Sequence, residues 1–251
     1  MQREAFVTFS VDDGHPSDLR TADLLQKHGL KATFYVPARN AERAVMPERQ
    51  IRDLSRNFEI GAHTLNHLRL PMLPREQAWT ELYDGKRWVE DLTGKSANSF
   101  CYPGGKFDHD VIAMVEQAGY LGARTCKLNL TSFPKNPFLC GVSTHACFYQ
   151  PFVQIRHALL ERNFSGAWNF VTAYGGTTDW LRHFLISLRQ VSERGGIAHL
   201  FLHSWEIDKW KEWVKLETAF ETVANMQNLR KVTNGEFFAI PSQLSASQPV
   251  S

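Results

Sequence analysis

Ala5-Phe6-Val7-Thr8-Phe9-Ser10-Val11-Asp12-Asp13-Gly14 is the stretch on which the fold turns. Ala5 to Val11 is apolar or β-branched almost throughout and reads as a strand. Two carboxylates and a glycine stand at its carboxyl end. Within a regular strand Asp12 and Asp13 would face opposite sides of a sheet. At a strand end, with Gly14 permitting a sharp turn, both can reach one site. Taken alone, Asp-Gly is equally a common turn pair leading to a helix near Ser17.

The same grammar repeats along the chain. Ser17 to Lys27 reads as a helix with Ser17 or Asp18 as its N-cap and Gly29 past its end. Thr33 to Val36 and Phe58 to Ala62 read as strands, and the second runs into His63-Thr64-Leu65-Asn66-His67. Trp79, Leu82, Tyr83, Val89 and Leu92 share one helical face that Gly94 ends. Ser99 to Tyr102 is a strand stopped by Pro103-Gly104-Gly105. Asp108 caps a helix, and Tyr120 to Cys126 is a strand. Leu128 to Gln150 is loop-rich. Phe152 to Arg162 reads as helix, Trp168 to Tyr174 as strand, and Trp180 to Val191 as a helical stripe. Ile197 to Leu202 is a near-continuous apolar strand, as expected of a buried parallel strand. A long helix begins at Trp213, and Phe237 to Ile240 reads as a final strand. Strands alternating with helices imply an α/β chain with a mainly parallel sheet covered by helices. With no clear linker and no internal repeat, residues 1–244 are expected to form one catalytic domain, with residues 245–251 a disordered tail.

Composition is that of a soluble globular protein: 251 residues, 43% apolar, 22% charged, net charge +2. No basic block suggests nucleic-acid or anionic-membrane binding. No apolar run approaches a membrane span. The amino terminus enters a strand at once and leaves no room for a signal peptide, so the expected location is cytoplasmic. The cysteines, Cys101, Cys126, Cys140 and Cys147, form no C-x-x-C and are expected to be free thiols. Cys140, Cys147 and His145 could be read as a second metal site, but their spacing fits no common zinc pattern.

Two adjacent carboxylates and two imidazoles supply three N/O ligands and one acid left over. That set suits a metal-dependent hydrolase with an open position for water and a base beside it. His63 and His67 can share an ion if their segment is helical or if a turn folds it back; by themselves they could be unrelated polar loop residues. His203, at the end of the Ile197–Leu202 strand, is a candidate general acid, because an imidazole titrates near working pH. His199, inside that strand, reads as a buried structural histidine. Asp12, Asp13, His63, His67, Pro103 and His203 all fall at carboxyl ends of strands, where barrels of this class place their chemistry.

These motifs resemble the polysaccharide deacetylase superfamily, carbohydrate esterase family 4. Thr8 to Gly14 is similar to its T-F-D-D-G-like first motif, and His63-Thr64-Leu65-Asn66-His67 matches its second, H-[ST]-x-x-H, in full. Cys101-Tyr102-Pro103-Gly104-Gly105 matches the third, R-x-P-x-G, except at its first position. Leu200-Phe201-Leu202-His203 is similar to the fifth, L-x-L-H. The agreement covers about residues 5 to 205, and His203-Ser204-Trp205-Glu206 resembles a bacterial branch often associated with surface-polysaccharide synthesis.

The resemblance implies a distorted (β/α) barrel with fewer than eight strands. It implies Asp12 as catalytic base and Asp13, His63 and His67 as ligands of one divalent ion, zinc first and cobalt or nickel as alternatives. It implies His203 as general acid, the Gly104 N–H as an oxyanion donor, and Leu202 as a wall of the acetyl pocket. Tyr102, Trp205 and Glu206 are the expected substrate-side residues; Trp205 and Glu206 could instead simply begin a helix. The expected reaction removes an N-acetyl group from an amino sugar or sugar conjugate. Alternatives are a deformylase or small-molecule amidase of the same superfamily, or an inactive sugar-binding protein on the same scaffold.

Two departures stand out. Cys101 replaces the family's arginine that orients the base, and a thiol carries no fixed positive charge. Arg124, after the next strand, is the expected substitute by position, although an arginine there could equally be a barrel-end ion pair. Asp179-Trp180 has the letters of the fourth motif, but Thr178 and Asp179 also make a sound helix start and Trp180 fits the core stripe.

Overall fold

The computed structural model of the chain describes residues 4–240. Its sheet is built on β1 (Ala5–Asp12), followed by α1 (Asp18–Lys27), β2 (Thr33–Val36), α2 (Glu48–Leu54) and β3 (Glu59–Ala62). Then come α3 (Arg75–Thr93), β4 (Ser99–Cys101), α4 (His109–Gln117), β5 (Gly122–Arg124), β6 (Thr144–His145), α5 (Pro151–Leu160) and α6 (Phe164–Thr172). The chain finishes with α7 (Trp180–Arg194), β7 (Gly196–Leu202), α8 (Ser204–Trp210), α9 (Trp213–Asn225), the two-residue β8 (Arg230–Lys231) and α10 (Asn234–Phe238).

Seven parallel strands run in the order β5-β4-β3-β2-β1-β7-β6, and β8 adds to β1 off this path. They curl into a distorted barrel. The seam is closed by one loop: Cys140 N–H donates to the Ala123 carbonyl at 3.0 Å, and Thr144 then registers with Leu200 of β7. The stretch from Cys140 to Thr144 therefore spans the gap between β5 and β7.

β1 and β7 pair in parallel from Ala5–Gly196 to Val11–Leu202. Side chains alternate across a strand, so each strand feeds two layers. Val7, Phe9, Val11, Ala198, Leu200 and Leu202 point outward into the main core beneath the helices. The other parity faces the barrel interior. There, Phe6 and Ile197 cluster with Phe237 and Phe238 at the amino-terminal end. Above them Thr8 bonds Asn234 at 2.7 Å, Ser10 bonds His199 at 2.8 Å, and Asp12 meets Arg124. The interior thus grades from apolar to ionic toward the carboxyl ends of the strands.

Two elements depart from the sequence reading. The expected strand Trp168 to Tyr174 lies in and after helix α6. Asn163 caps that helix by accepting from Gly166 N–H at 3.0 Å, and Gly166 and Phe170, four apart, form its buried face. Trp168 and Val171 are apolar but exposed, and so mimic a buried strand in the sequence. The expected strand Phe237 to Ile240 is replaced by α10, which a Thr233/Glu236 capping box nucleates. Residues 245–251 lie outside the described residues. Among the described residues, no helix is long and apolar enough to cross a membrane.

Candidate active site

Asp12 is the last residue of β1 and keeps the inward parity of Thr8 and Ser10. Asp13 adopts φ 79° and Gly14 φ 63°, so the chain leaves the strand through two consecutive left-handed residues. This turn brings neighbouring carboxylates to one site. A left-handed non-glycine residue costs about 1–3 kcal/mol and persists only where its surroundings enforce it. Gly14 is obligatory as well: a Cβ there would lie 2.5 Å from Val36 Cγ1.

The His63–His67 segment is a loop, the folded-back alternative, with Thr64 at φ 61° and His67 at φ 57°. Helix α3 holds it. Leu65 N–H donates to the Glu81 carbonyl at 2.9 Å, and Asn66 N–H to the Glu81 carboxylate at 2.8 Å. Gly85, one turn further along α3, lets the loop backbone approach: a Cβ there would meet the Thr64 carbonyl carbon at 2.7 Å. Glu81 and Gly85 escape the sequence reading, because their role lies in contact across a helix face rather than in a motif.

Asp13, His63 and His67 bring one ligand atom each to within 4.8 Å of one another. His67 Nε2 lies 3.2 Å and His63 Nε2 3.8 Å from Asp13 Oδ1. The Cys101 carbonyl can only accept, so His63 Nδ1–H donates to it at 2.8 Å and leaves Nε2 free for an ion. Burial, with His67 alongside, holds the His63 imidazole down to about 4, in its neutral, ligating form. Burial works against ionised Asp13, but the surrounding imidazoles hold its carboxyl well below the usual range. Two imidazoles and a carboxylate fit zinc or a similar borderline divalent ion.

Arg124 and Asp12 form a buried ion pair through Nη2 and Oδ2. The reason is register: Arg124 on β5 is the cross-strand partner of Cys101 on β4. A guanidinium one strand over therefore reaches the place that a side chain at position 101 would occupy. Arg124 Nη2 also donates to Cys101 Sγ at 2.7 Å. Burial pushes the Cys101 thiol well up, so it stays protonated despite the cation. Burial likewise opposes ionised Asp12, yet Arg124, with His63 and His203, holds its carboxyl below the ordinary value. Asp12 Oδ1 is buried without a protein partner, which leaves one oxygen of the carboxylate free.

His203 follows β7. Its Nδ1–H donates to Glu206 Oε2 at 2.8 Å, and Nε2 lies 4.0 Å from Asp13 Oδ2. Burial lowers the imidazole, but Glu206, Asp13 and Asp12 outweigh it and raise it to about 9. His145 Nε2 lies 3.0 Å from the same Glu206 oxygen.

Asp12, Asp13, His63, His67, His145 and His203 border one pocket of about 500 Å³, whose walls also include Arg43, Arg69, Gly104, Tyr102, Tyr149 and Phe201. Asp12, Asp13, His63, His67, His203, Gly104, Tyr102 and Trp205 all meet there. Arg124 stands behind Asp12, fully buried. Trp205 donates from Nε1 to Asp13 Oδ2 at 3.2 Å, and the Arg43 guanidinium stacks 3.4 Å over its ring centroid. Two expectations need correction. Leu202 does not line the pocket: it has the outward parity and joins the core, and Phe201 faces the site instead. Glu206 is not among the pocket walls; it sits behind His203 and bonds its Nδ1. Asp179 caps α7 by accepting from Leu181 N–H at 3.0 Å, and Trp180 is buried, its Nε1–H donating to Glu212. Cys140 takes no part in a cluster with His145; Cys147 and Glu206 do, but burial and Glu206 push the Cys147 thiol up to about 12, which disfavours a thiolate ligand.

Residues 2–123, just under half of the chain, match the polysaccharide deacetylase family. The peptidoglycan-N-acetylglucosamine deacetylase of Bacillus cereus is 31% identical over 120 residues, 47% of this chain and 54% of that protein. The chain spans about half the length of the curated relatives it matches. The family 4 acetyl xylan esterase of Clostridium thermocellum, solved with a cobalt ion, has a TM-score of 0.59 at 18% identity, covering 93% of this chain and 90% of that one. The chitin deacetylase of Colletotrichum lindemuthianum has a TM-score of 0.56 at 14% identity, covering 93% and 87%. At these identities the two structures establish a shared fold across nearly the whole chain.

Proposed function

We propose that the chain is a metal-dependent carbohydrate N-deacetylase. The observation that carries this is the juxtaposition in one pocket of an Asp13–His63–His67 donor set and an Asp12 carboxylate with one unpartnered oxygen. Asp13, His63 and His67 would hold a divalent ion, zinc first by donor chemistry, which when bound polarises a carbonyl and acidifies water. Asp12 Oδ1 takes a proton from the attacking water while Arg124 fixes Oδ2, so that the carboxylate cannot swing away. The new C–O bond forms at the carbonyl carbon of the N-acetyl group, and the Gly104 N–H is the proposed donor to the developing oxyanion. The C–N bond then breaks, and His203 Nε2–H protonates the departing amine. Glu206 keeps the His203 Nδ1 proton in place, so the other nitrogen faces the substrate. Products are acetate and an amino sugar.

Phe201, stacked on His145 at 3.9 Å between centroids, supplies the apolar wall for the acetyl methyl group. The inactive-scaffold reading rests on Cys101, and Arg124 beside Asp12 removes that support. The sheet draws strands from both halves of the chain, which supports a single catalytic domain over residues 1–244. Four free cysteines fit a reducing, cytoplasmic setting. The test is acetate release from a panel of N-acetylated sugars by protein stripped of metal and then reloaded with zinc, cobalt or nickel. Release that tracks loading and disappears in His63→Ala is the expected result; no release from any sugar by loaded protein would refute the reading.

A further inference from the structure

Seven of the thirteen exposed large apolar side chains of the described residues fall between Phe148 and Val171. They follow helical spacing. On α5, Phe152, Leu159 and Leu160 stand at i, i+7 and i+8; on α6, Phe164, Trp168 and Val171 stand at i, i+4 and i+7. Phe152, Leu160 and Phe164 are each 66% exposed and Trp168 is 71% exposed. The opposite faces, with Ala158, Gly166 and Phe170, are buried, so the helices are docked and their apolar outer faces are left in water. A surface of this kind marks an interaction site.

The charges around it are biased. Between Phe148 and Tyr174 the only carboxylate is Glu161, half-buried and set against Lys106 at 3.9 Å, with Lys127 also acting on it. Arg156 and Arg162 are exposed on the same helical pair. Two exposed arginines thus accompany this apolar helical face, and the one acid of the segment is partly covered and set against Lys106. A second copy packed on this face would bring like charges together. Exposed aromatics accompanied by exposed arginines suit the headgroup boundary of an anionic bilayer.

We propose that the α5–α6 face docks on an anionic phospholipid surface. Tyr149, next to Phe148, lines the catalytic pocket and packs on His157 of α5 at 5.9 Å between ring centroids, so docking would bring the bilayer close to the site. The proposal does not depend on the deacetylase reading. Its test is co-sedimentation of the full chain with vesicles of phosphatidylcholine alone or mixed with phosphatidylglycerol, at low and high salt. Binding to the anionic vesicles about tenfold or more above the neutral ones, weakened by salt, is expected. Trp168→Ser with Phe164→Ser should abolish it, and Arg156→Glu with Arg162→Glu should remove the anionic preference, with circular dichroism unchanged. Trp168→Ala alone, at an exposed position, should weaken binding even if the double variants fold poorly. Absence of binding to either vesicle, or binding indifferent to all these variants, would overturn the proposal. So would size-exclusion chromatography showing that Trp168→Ala splits a dimer that binds no lipid.

Discussion

Asp12 is a carboxylate placed where carboxylates are expensive, and one guanidinium makes its ionised form tenable. Removing one partner of such a buried pair leaves the other uncompensated, at a cost of about 3–5 kcal/mol. Arg124→Met should therefore lower stability by about that much in chemical denaturation. It should also slow turnover by about 10²-fold, since the base loses its orientation, while metal content stays at the wild-type level. Asp12→Asn separates the roles of the adjacent acids: turnover should fall on the order of 10²–10⁴-fold with metal retained. Metal analysis of Asp12→Asn beside Asp13→Asn checks this, and loss of metal from the first with retention in the second would reverse the assignment. The substitution of Cys101 by a cation from the next strand was open to sequence reading because the Arg124 position could be counted along the chain. The register that makes Arg124 opposite Cys101 could not be counted.

The His63–His67 loop depends on a helix it does not belong to. Glu81 holds two of its N–H groups and Gly85 makes room for its backbone. Gly85→Ala improves helix propensity but drives a methyl group into Thr64, so the loop must shift. Metal affinity should drop roughly 10–100-fold, as for other changes that disturb ligand orientation, while helical content holds; calorimetric titration with zinc is the measurement. His63 and His67 were legible as a motif, whereas Glu81 and Gly85 become visible only when α3 packs on the loop. The two misread elements have a related cause. Periodicity reports which residues are apolar, and it cannot separate a strand buried on both faces from α6, a helix apolar on both sides. At α10 a capping box outcompetes the β-propensity of Phe237 and Phe238.

The whole barrel is a device for gathering strand ends. Alternation alone sends one parity of β1 and β7 to the helices and the other to an interior that becomes ionic where the strands finish. Parallel order could be read from alternating strands and helices, but the closing stretch from Cys140 to Thr144 could not, because its pairing is made by a loop with few strand-forming residues. Since the donor set exists only in the folded state, a bound ion must stabilise that state by mass action, about 2.7 kcal/mol at a hundred times Kd. Chelation should then lower the melting temperature by roughly 5–10 °C, read by differential scanning calorimetry before and after reloading. The proposed mechanism requires one ion held by Asp13, His63 and His67 beside the unpartnered Asp12 oxygen, and metal stoichiometry measured together with acetate release tests it. One divalent ion per chain, lost in His63→Ala along with acetate release from N-acetylated sugars, is the expected result; acetate release that persists at full rate in metal-free protein would contradict it.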